Sequence, residues 1–213
     1  MENNFAKKLI EWYKINQRDL PWRKTNDPYK IWVSEIILQQ TRIDQGTPYY
    51  LNFINKFPNV KKLSESTLDE LMKVCQGIGY YGRIVNMHKC AKIVVIEYDS
   101  NFPTKYSELI KLTGIGDYTA SAISSICSGE SKMVVDGNVI RLFSRLYNLN
   151  YQQHSSMMKK TIKKIGEKEI LKFKSGDFNQ ALMDYGSMIC SPKKYKCDIC
   201  TVSYTHLTLP TKA

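Results

Sequence analysis

Leu112-Thr113-Gly114-Ile115-Gly116-Asp117-Tyr118-Thr119-Ala120 decides how this chain is read. A Gly-x-Gly step between two helical patterns leaves backbone N–H groups uncovered. The helix that follows adds the free donors of its first turn, so the segment forms a receptor for a phosphate. The same spacing opens dinucleotide-binding folds, but those require a strand in front of it. Here Ser107 to Leu112 reads as a short helix, and another helix is expected from Tyr118, with Ala122 and Ile126 on its inner face. The stretch therefore predicts a phosphate clamp built as helix, hairpin, helix.

Outward from the hairpin, the pattern stays helical nearly throughout. Asp27-Pro28 is a helix start, an N-cap acid followed by proline in the first turn. The helix after it, from Tyr29 to about Gln40, is apolar on almost every side and is expected to be buried. Thr67 and Glu70 have the spacing of a capping box, and Gly77 and Gly79 end the helix it opens. A further helix is expected from about Tyr81 to Tyr98, with Ile84, His88, Ala91 and Val95 on one stripe. Met133-Val134-Val135 is too short to found a sheet, and Asp136 then caps a helix from Val139 to Tyr147. Helices at about 157–169 and 178–189 complete an all-α fold.

The chain has 213 residues, 43% of them apolar, enough for one large or two small domains. No run approaches the ~20 apolar residues that span a bilayer, and Met1-Glu2-Asn3-Asn4 lacks the basic and apolar parts of a signal peptide. A cytoplasmic protein is expected. The 31 Lys and Arg outnumber 20 Asp and Glu, giving a net charge of +11. Such a balance suits a polyanion, because each neutralised phosphate releases counterions; it also suits a merely soluble basic surface. Among the six cysteines, Cys75, Cys90 and Cys127 sit in apolar helical patterns and read as core. Cys190, Cys197 and Cys200 cluster, which in a cytoplasmic chain points to metal before disulfide.

Two acids stand near the hairpin in chemistry, though not in sequence. Asp136, in Val135-Asp136-Gly137-Asn138-Val139, reads first as an N-cap taking the N–H of Val139. Capping does not exclude chemistry: backbone donors and the positive helix end favour the charged carboxylate, and a fixed anion is what a developing sugar cation needs. Glu35 lies within the apolar run Ile31 to Thr41, on a stripe with Ile31 and Leu38. Burial raises a carboxyl pKa, which suits a general acid; a structural ion pair with an arginine is the other reading. Two carboxylates in contrasting environments are the arrangement that hydrolyses glycosides.

Several strings in the same order now make the chain resemble adenine DNA glycosylases of the MutY type, within the helix-hairpin-helix superfamily of base-excision enzymes. They are Leu20-Pro21-Trp22-Arg23, Asp27-Pro28-Tyr29, Ser34-Glu35-Ile36-Ile37-Leu38-Gln39-Gln40-Thr41, Gly77-Ile78-Gly79-Tyr80-Tyr81, the hairpin, Asp136-Gly137-Asn138-Val139, and Cys190 with Cys197-x-x-Cys200. The resemblance runs from about Asp19 to Cys200. It implies double-stranded DNA bearing a mispaired adenine as partner, and a monomer. Glu35 matches the acid that protonates adenine's imidazole ring, and Asp136 the carboxylate that stabilises the sugar cation, with Tyr118 and Asn138 in support. Gln40 matches the side chain wedged into the stack when the base flips out. Trp22, Arg23 and Gln180 match positions around the adenine pocket; Gly114, Ile115, Gly116, Tyr80 and Arg83 match DNA contacts. Strand-cutting relatives carry a catalytic lysine where this chain has Tyr118, so the resemblance is to the monofunctional branch. A thymine–guanine mismatch glycosylase, similar at Tyr118 and in the cysteines, and an inactive DNA-binding module are the alternatives. The Leu38-Gln39-Gln40-Thr41 string favours adenine.

The resemblance also implies two helical domains with the active-site cleft between them. Residues 20–129 are expected as a six-helix domain with the hairpin, and 1–19 plus 130–201 as an iron–sulfur-type helical domain. Relatives hold a [4Fe–4S] cluster with four cysteines, the last at a position that is His206 here. A Cys₃His zinc site is the rival use of the same residues. Val202 to Thr211 has no helical stripe and matches one reading frame of a transposase sequencing adapter. Residues 202–213 are therefore expected to be a non-native tail, leaving the cluster one cysteine short and the family's 8-oxoguanine-reading domain without a counterpart.

Overall fold

The computed structural model describes residues 5–150 and 155–200; His206 and the rest of the expected tail lie outside them. Described residues form helices joined by turns, with no strand among them. In chain order these are α1 (Phe5–Asn16), a 3-10 turn (Pro21–Arg23), α2 (Pro28–Ile37), α3 (Ile43–Lys56), α4 (Val60–Glu65), α5 (Leu68–Val74) and α6 (Gly82–Glu97). Then come α7 (Tyr106–Leu109), α8 (Asp117–Cys127), α9 (Gly137–Tyr147), α10 (Ser156–Ile170) and α11 (Ser175–Met188). The all-α expectation is met. The chain divides into two compact units, Asp19–Ser128 and Met1–Arg18 with Gly129–Ala213.

In the unit Asp19–Ser128, α2 is the central post, packed against the 3-10 turn, α3, α6 and α8. Its start follows from cap chemistry: Asp27 accepts the N–H of Tyr29 at 2.9 Å, and Pro28 occupies the first turn. Tyr29, Ile31 to Ser34, Ile36 and Ile37 are all buried, in a core with Phe53, Leu63, Leu71, Ile84 and Ile123. The helix ends at Ile37, short of the Gln40 read from the pattern, because Gln40 takes a left-handed φ of 56° that no α-helix continues. The capping box of Thr67 and Glu70 forms as expected at the start of α5.

In the other unit, α11 packs on α1 and α9, and α10 packs on α9. Leu9, Phe143, Ile162, Phe178, Leu182 and Tyr185 form its core. Met133 to Val135 forms no strand. The buried Asn179 side chain holds this segment, accepting from Val134 N at 3.0 Å and donating to Lys132 O at 2.8 Å. Arg18 donates through Nε to the fully buried Asp184 at 2.6 Å, tying the segment after α1 to α11.

Candidate active site

The hairpin is anchored by its middle residue. Ile115 is buried, and its N–H bonds Leu112 O at 3.1 Å, closing the turn after α7. Of the residue expected to meet DNA, only the backbone is therefore available; its side chain belongs to the core. The flanking glycines differ. Gly114 has φ +80°, and a Cβ there would sit 2.8 Å from Asn86 Cβ on α6, so the fold itself demands glycine. Gly116 has ordinary extended backbone, and a Cβ there would meet nothing within 4 Å. Nothing in the fold requires glycine at 116. As the N-cap of α8, Gly116 supplies no side-chain acceptor to the first turn of that helix. Tyr118 follows, half-buried. Beside it, Tyr106 donates to Asp117 at 2.8 Å; burial, then that bond, push the phenol up to about 12.

At the start of α9 the arrangement is reversed. Asp136 accepts the N–H of Val139 through Oδ1 at 2.8 Å and the side-chain N–H of Asn138 through Oδ2, also at 2.8 Å. Both carboxylate oxygens are thus engaged, and the group's position is fixed. Asn138 is fixed in turn by Arg141, which donates to Asn138 Oδ1 at 2.9 Å, Gly186 O at 2.6 Å and Cys190 O at 2.7 Å. The packing is tight there: a Cβ on Gly186 would lie 2.8 Å from Asn138 Cβ and 3.0 Å from its carbonyl oxygen. Sequence reasoning missed Arg141. Its signal is spacing, one helical turn beyond Asn138 on the polar face of a strongly amphipathic helix.

Arg145, one turn further, donates to Cys190 Sγ at 3.2 Å and Ser191 O at 3.0 Å and lies over the Tyr195 ring at 5.1 Å. Cys190, Cys197 and Cys200 line one small pocket with it. Tyr185 donates to Cys200 Sγ at 3.3 Å. Burial first, then the neighbouring Cys200 and Cys190, push the Cys197 thiol up. The three sulfurs share a site, yet no group of ligands among the described residues is drawn tightly enough to hold a single metal ion.

Glu35 is half-buried, the one residue from Ile31 to Ile37 that is not fully buried. It stands in an apolar wall but is not sealed inside it, so the burial expected from the sequence is only partial. Gln40 and Tyr80 are exposed, Tyr80 at 65%, and both have left-handed backbone, φ 56° and 51°. Arg83, expected among DNA contacts, is buried instead. Its guanidinium donates to Gln39 O, to Thr41 Oγ1 at 3.2 Å and to Ile78 O at 3.3 Å. Trp22 is buried edge-on to Tyr50, with ring centres 5.2 Å apart, and Arg23 is half-buried. Gln180, half-buried on α11, accepts the Tyr13 hydroxyl at 2.6 Å. Each unit thus assembles its own part: the hairpin, Glu35 and the Gln40 and Tyr80 turns in one, Asp136, Asn138, Gln180 and the cysteines in the other.

Residues 33–168, more than half of the chain, match the HhH-GPD superfamily base excision DNA repair proteins. The chain is 40% identical over 197 residues to an adenine DNA glycosylase of Buchnera aphidicola subsp. Schizaphis graminum, covering 92% of this chain and 57% of that protein. It is 34% identical over 207 residues to the adenine DNA glycosylase of Homo sapiens, covering 93% and 38%. The chain therefore spans little more than half the length of such relatives, or less. A thermostable thymine-DNA glycosylase superposes with a TM-score of 0.87 at 28% identity, covering 95% of this chain and 94% of that one. Endonuclease III in a non-covalent DNA complex superposes at 0.77, with 19% identity, 95% coverage of this chain and 92% of that chain, a likeness of fold alone.

Proposed function

Because the chain belongs to the HhH-GPD superfamily of base excision DNA repair proteins, we propose that it is a monofunctional DNA glycosylase that removes adenine mispaired with 8-oxoguanine or guanine. The observation that carries this reading is the Asp136 carboxylate, fixed by the Val139 N–H and the Asn138 amide at the start of α9. A preorganised anion stabilises positive charge in the transition state without having to move. In the proposed sequence, the α8 hairpin holds a backbone phosphate, Gln40 fills the stack and the adenine turns out. Glu35 gives a proton to the imidazole ring, the bond from sugar to base breaks, and its electron pair leaves with adenine. Asp136 stabilises the resulting sugar cation until water adds to it and loses a proton. Tyr118 supports the site and supplies no amine, so strand cleavage is not part of the reaction. Trp22, Arg23 and Gln180 surround the base.

The thymine-DNA glycosylase likeness sustains a second reading, excision of thymine opposite guanine. Single-turnover assays on duplexes with A·8-oxoguanine, A·G and T·G pairs decide between them. Adenine release is expected; thymine release without adenine release overturns the assignment, and no release by a metal-loaded protein favours a binding module.

Cys190, Cys197 and Cys200 would give three thiolates to a [4Fe–4S] cluster, which would supply metal–thiolate bonds pinning the segment after α11. With histidine at 206, little or labile iron is expected; His206→Cys should raise iron and sulfide together. Stoichiometric zinc would instead support a Cys₃His site. The proposed protein works as a monomer on duplex DNA, and no described helix is long and apolar enough to cross a membrane.

A further inference from the structure

We propose that Arg83 is a positioning residue that brackets two turns into one preformed edge, holding Gln40 and Tyr80 in left-handed conformations before DNA arrives. The relevance to DNA rests on the function proposed above; the bracket itself stands on geometry.

Three observations converge. First, Arg83 is 5% exposed, and no ion pair to it is found among the described residues. Burying a guanidinium without a carboxylate is costly, and its Nε has no acceptor at all. A side chain kept under those terms is doing something an apolar residue could not. Second, its two terminal nitrogens reach acceptors in two separate turns: Gln39 O and Thr41 Oγ1, which flank Gln40, and Ile78 O, two residues before Tyr80. A planar fork of fixed donors can span such a set; a lysine ammonium cannot present the same geometry. Third, the residues beside those acceptors are the strained ones. Gln40 at φ 56° and Tyr80 at φ 51° are non-glycine residues in a region that persists only where surroundings over-determine it. Both are exposed, so core packing of their own side chains does not hold them there. The bracket does, from beneath.

A preformed wedge spares the ordering that would otherwise accompany insertion into the base stack. Arg83 therefore acts on flipping through Gln40, without touching the base. Arg83→Met keeps bulk and removes the donors. In the free protein, amide hydrogen exchange should accelerate at least tenfold at residues 38–41 and 78–81 together, with elements such as α9 unchanged. The rise in 2-aminopurine fluorescence on flipping in an A·G-type duplex should fall, and single-turnover excision should slow about tenfold. Affinity for matched duplex should stay within threefold, since the hairpin is elsewhere. In a Gln40→Ala background, Arg83→Met should slow excision little further, whereas a general structural role would add in both backgrounds. Thr41→Val removes one acceptor and should show the same pattern more weakly, keeping the test available if Arg83→Met misfolds. Unchanged exchange at both turns, or full additivity with Gln40→Ala, overturns the bracket. Absence of base release from the wild-type protein overturns the functional reading instead and leaves the exchange result to judge the bracket.

Discussion

Helices α8 and α9 begin in opposite ways. The N-cap of α8 is Gly116, which offers no acceptor and has open space where a side chain would be. The N-cap of α9 is Asp136, whose carboxylate takes the Val139 N–H and is itself held by Asn138. Every helix start has the same problem, free N–H groups and a partial positive charge. One start has no side-chain cap, and on the function proposed above it takes a phosphate from outside. The other is capped by an anion and fixes that anion in place. On that reading the same local physics serves a receptor for negative charge at one site and a source of it at another.

The comparison breaks most visibly at the chemistry. Asp136→Asn and Glu35→Gln should each lower single-turnover base release by at least about a thousandfold while duplex affinity changes only a few-fold, because the lost groups act chiefly in the transition state. Asparagine caps a helix about as well as aspartate, so the Asp136→Asn melting temperature should barely move. Near-normal rates in both variants would show that both acids are structural. The glycines give the next effect. Gly116→Leu should fold normally and weaken binding to matched and mismatched duplexes alike by roughly tenfold. Gly114→Leu should do the same and also destabilise by about 1–3 kcal/mol in denaturant titration, since it meets Asn86 in strained backbone. Loss of mismatch binding alone would argue against a phosphate clamp. Asp136→Ala sharpens the contrast on stability: removing the cap should cost about 1 kcal/mol that Asp136→Asn keeps.

The smallest effect is expected at Tyr106→Phe, which removes the bond to Asp117. A loss of about 0.5–1 kcal/mol is expected by thermal melting, with binding changed less than threefold. Because folding raises this phenol from 10.0 to about 12, its contribution is complete below pH 10 and fades as pH rises from there through 12. The wild-type protein, but not Tyr106→Phe, should show that alkaline component.

What was legible in the sequence follows from range. Caps are local chemistry, so Asp27-Pro28, the Thr67 and Glu70 box, and Asp136 could be read directly, and each forms. The end of α2 could not. It depends on Gln40 turning left-handed beside acceptors held by Arg83, distant in sequence. No individual helix was read at α1, α3 or α4; Pro48 inside α3 masks its pattern. Arg83 was expected at the DNA through the resemblance, and its burial could not be read because charge says nothing about burial. Asp136 and Asn138 were visible as residue types, yet the arginine that orients them required knowing that α9 packs against the end of α11.

Gly186 gives that packing a consequence for heredity. The closest atoms to its missing Cβ are those of Asn138, backbone included, so even one methyl group must displace the start of α9. Gly186→Ala would be scored as conservative by any scale of residue similarity, lies in the last turn of α11 where alanine is the better helix former, and alters no reacting group. It should nevertheless move Asp136 through Asn138. On the function proposed above, a gene carrying that change would encode a protein that slows base release without losing a reacting group, so the defect would surface as accumulated mutations elsewhere in the genome.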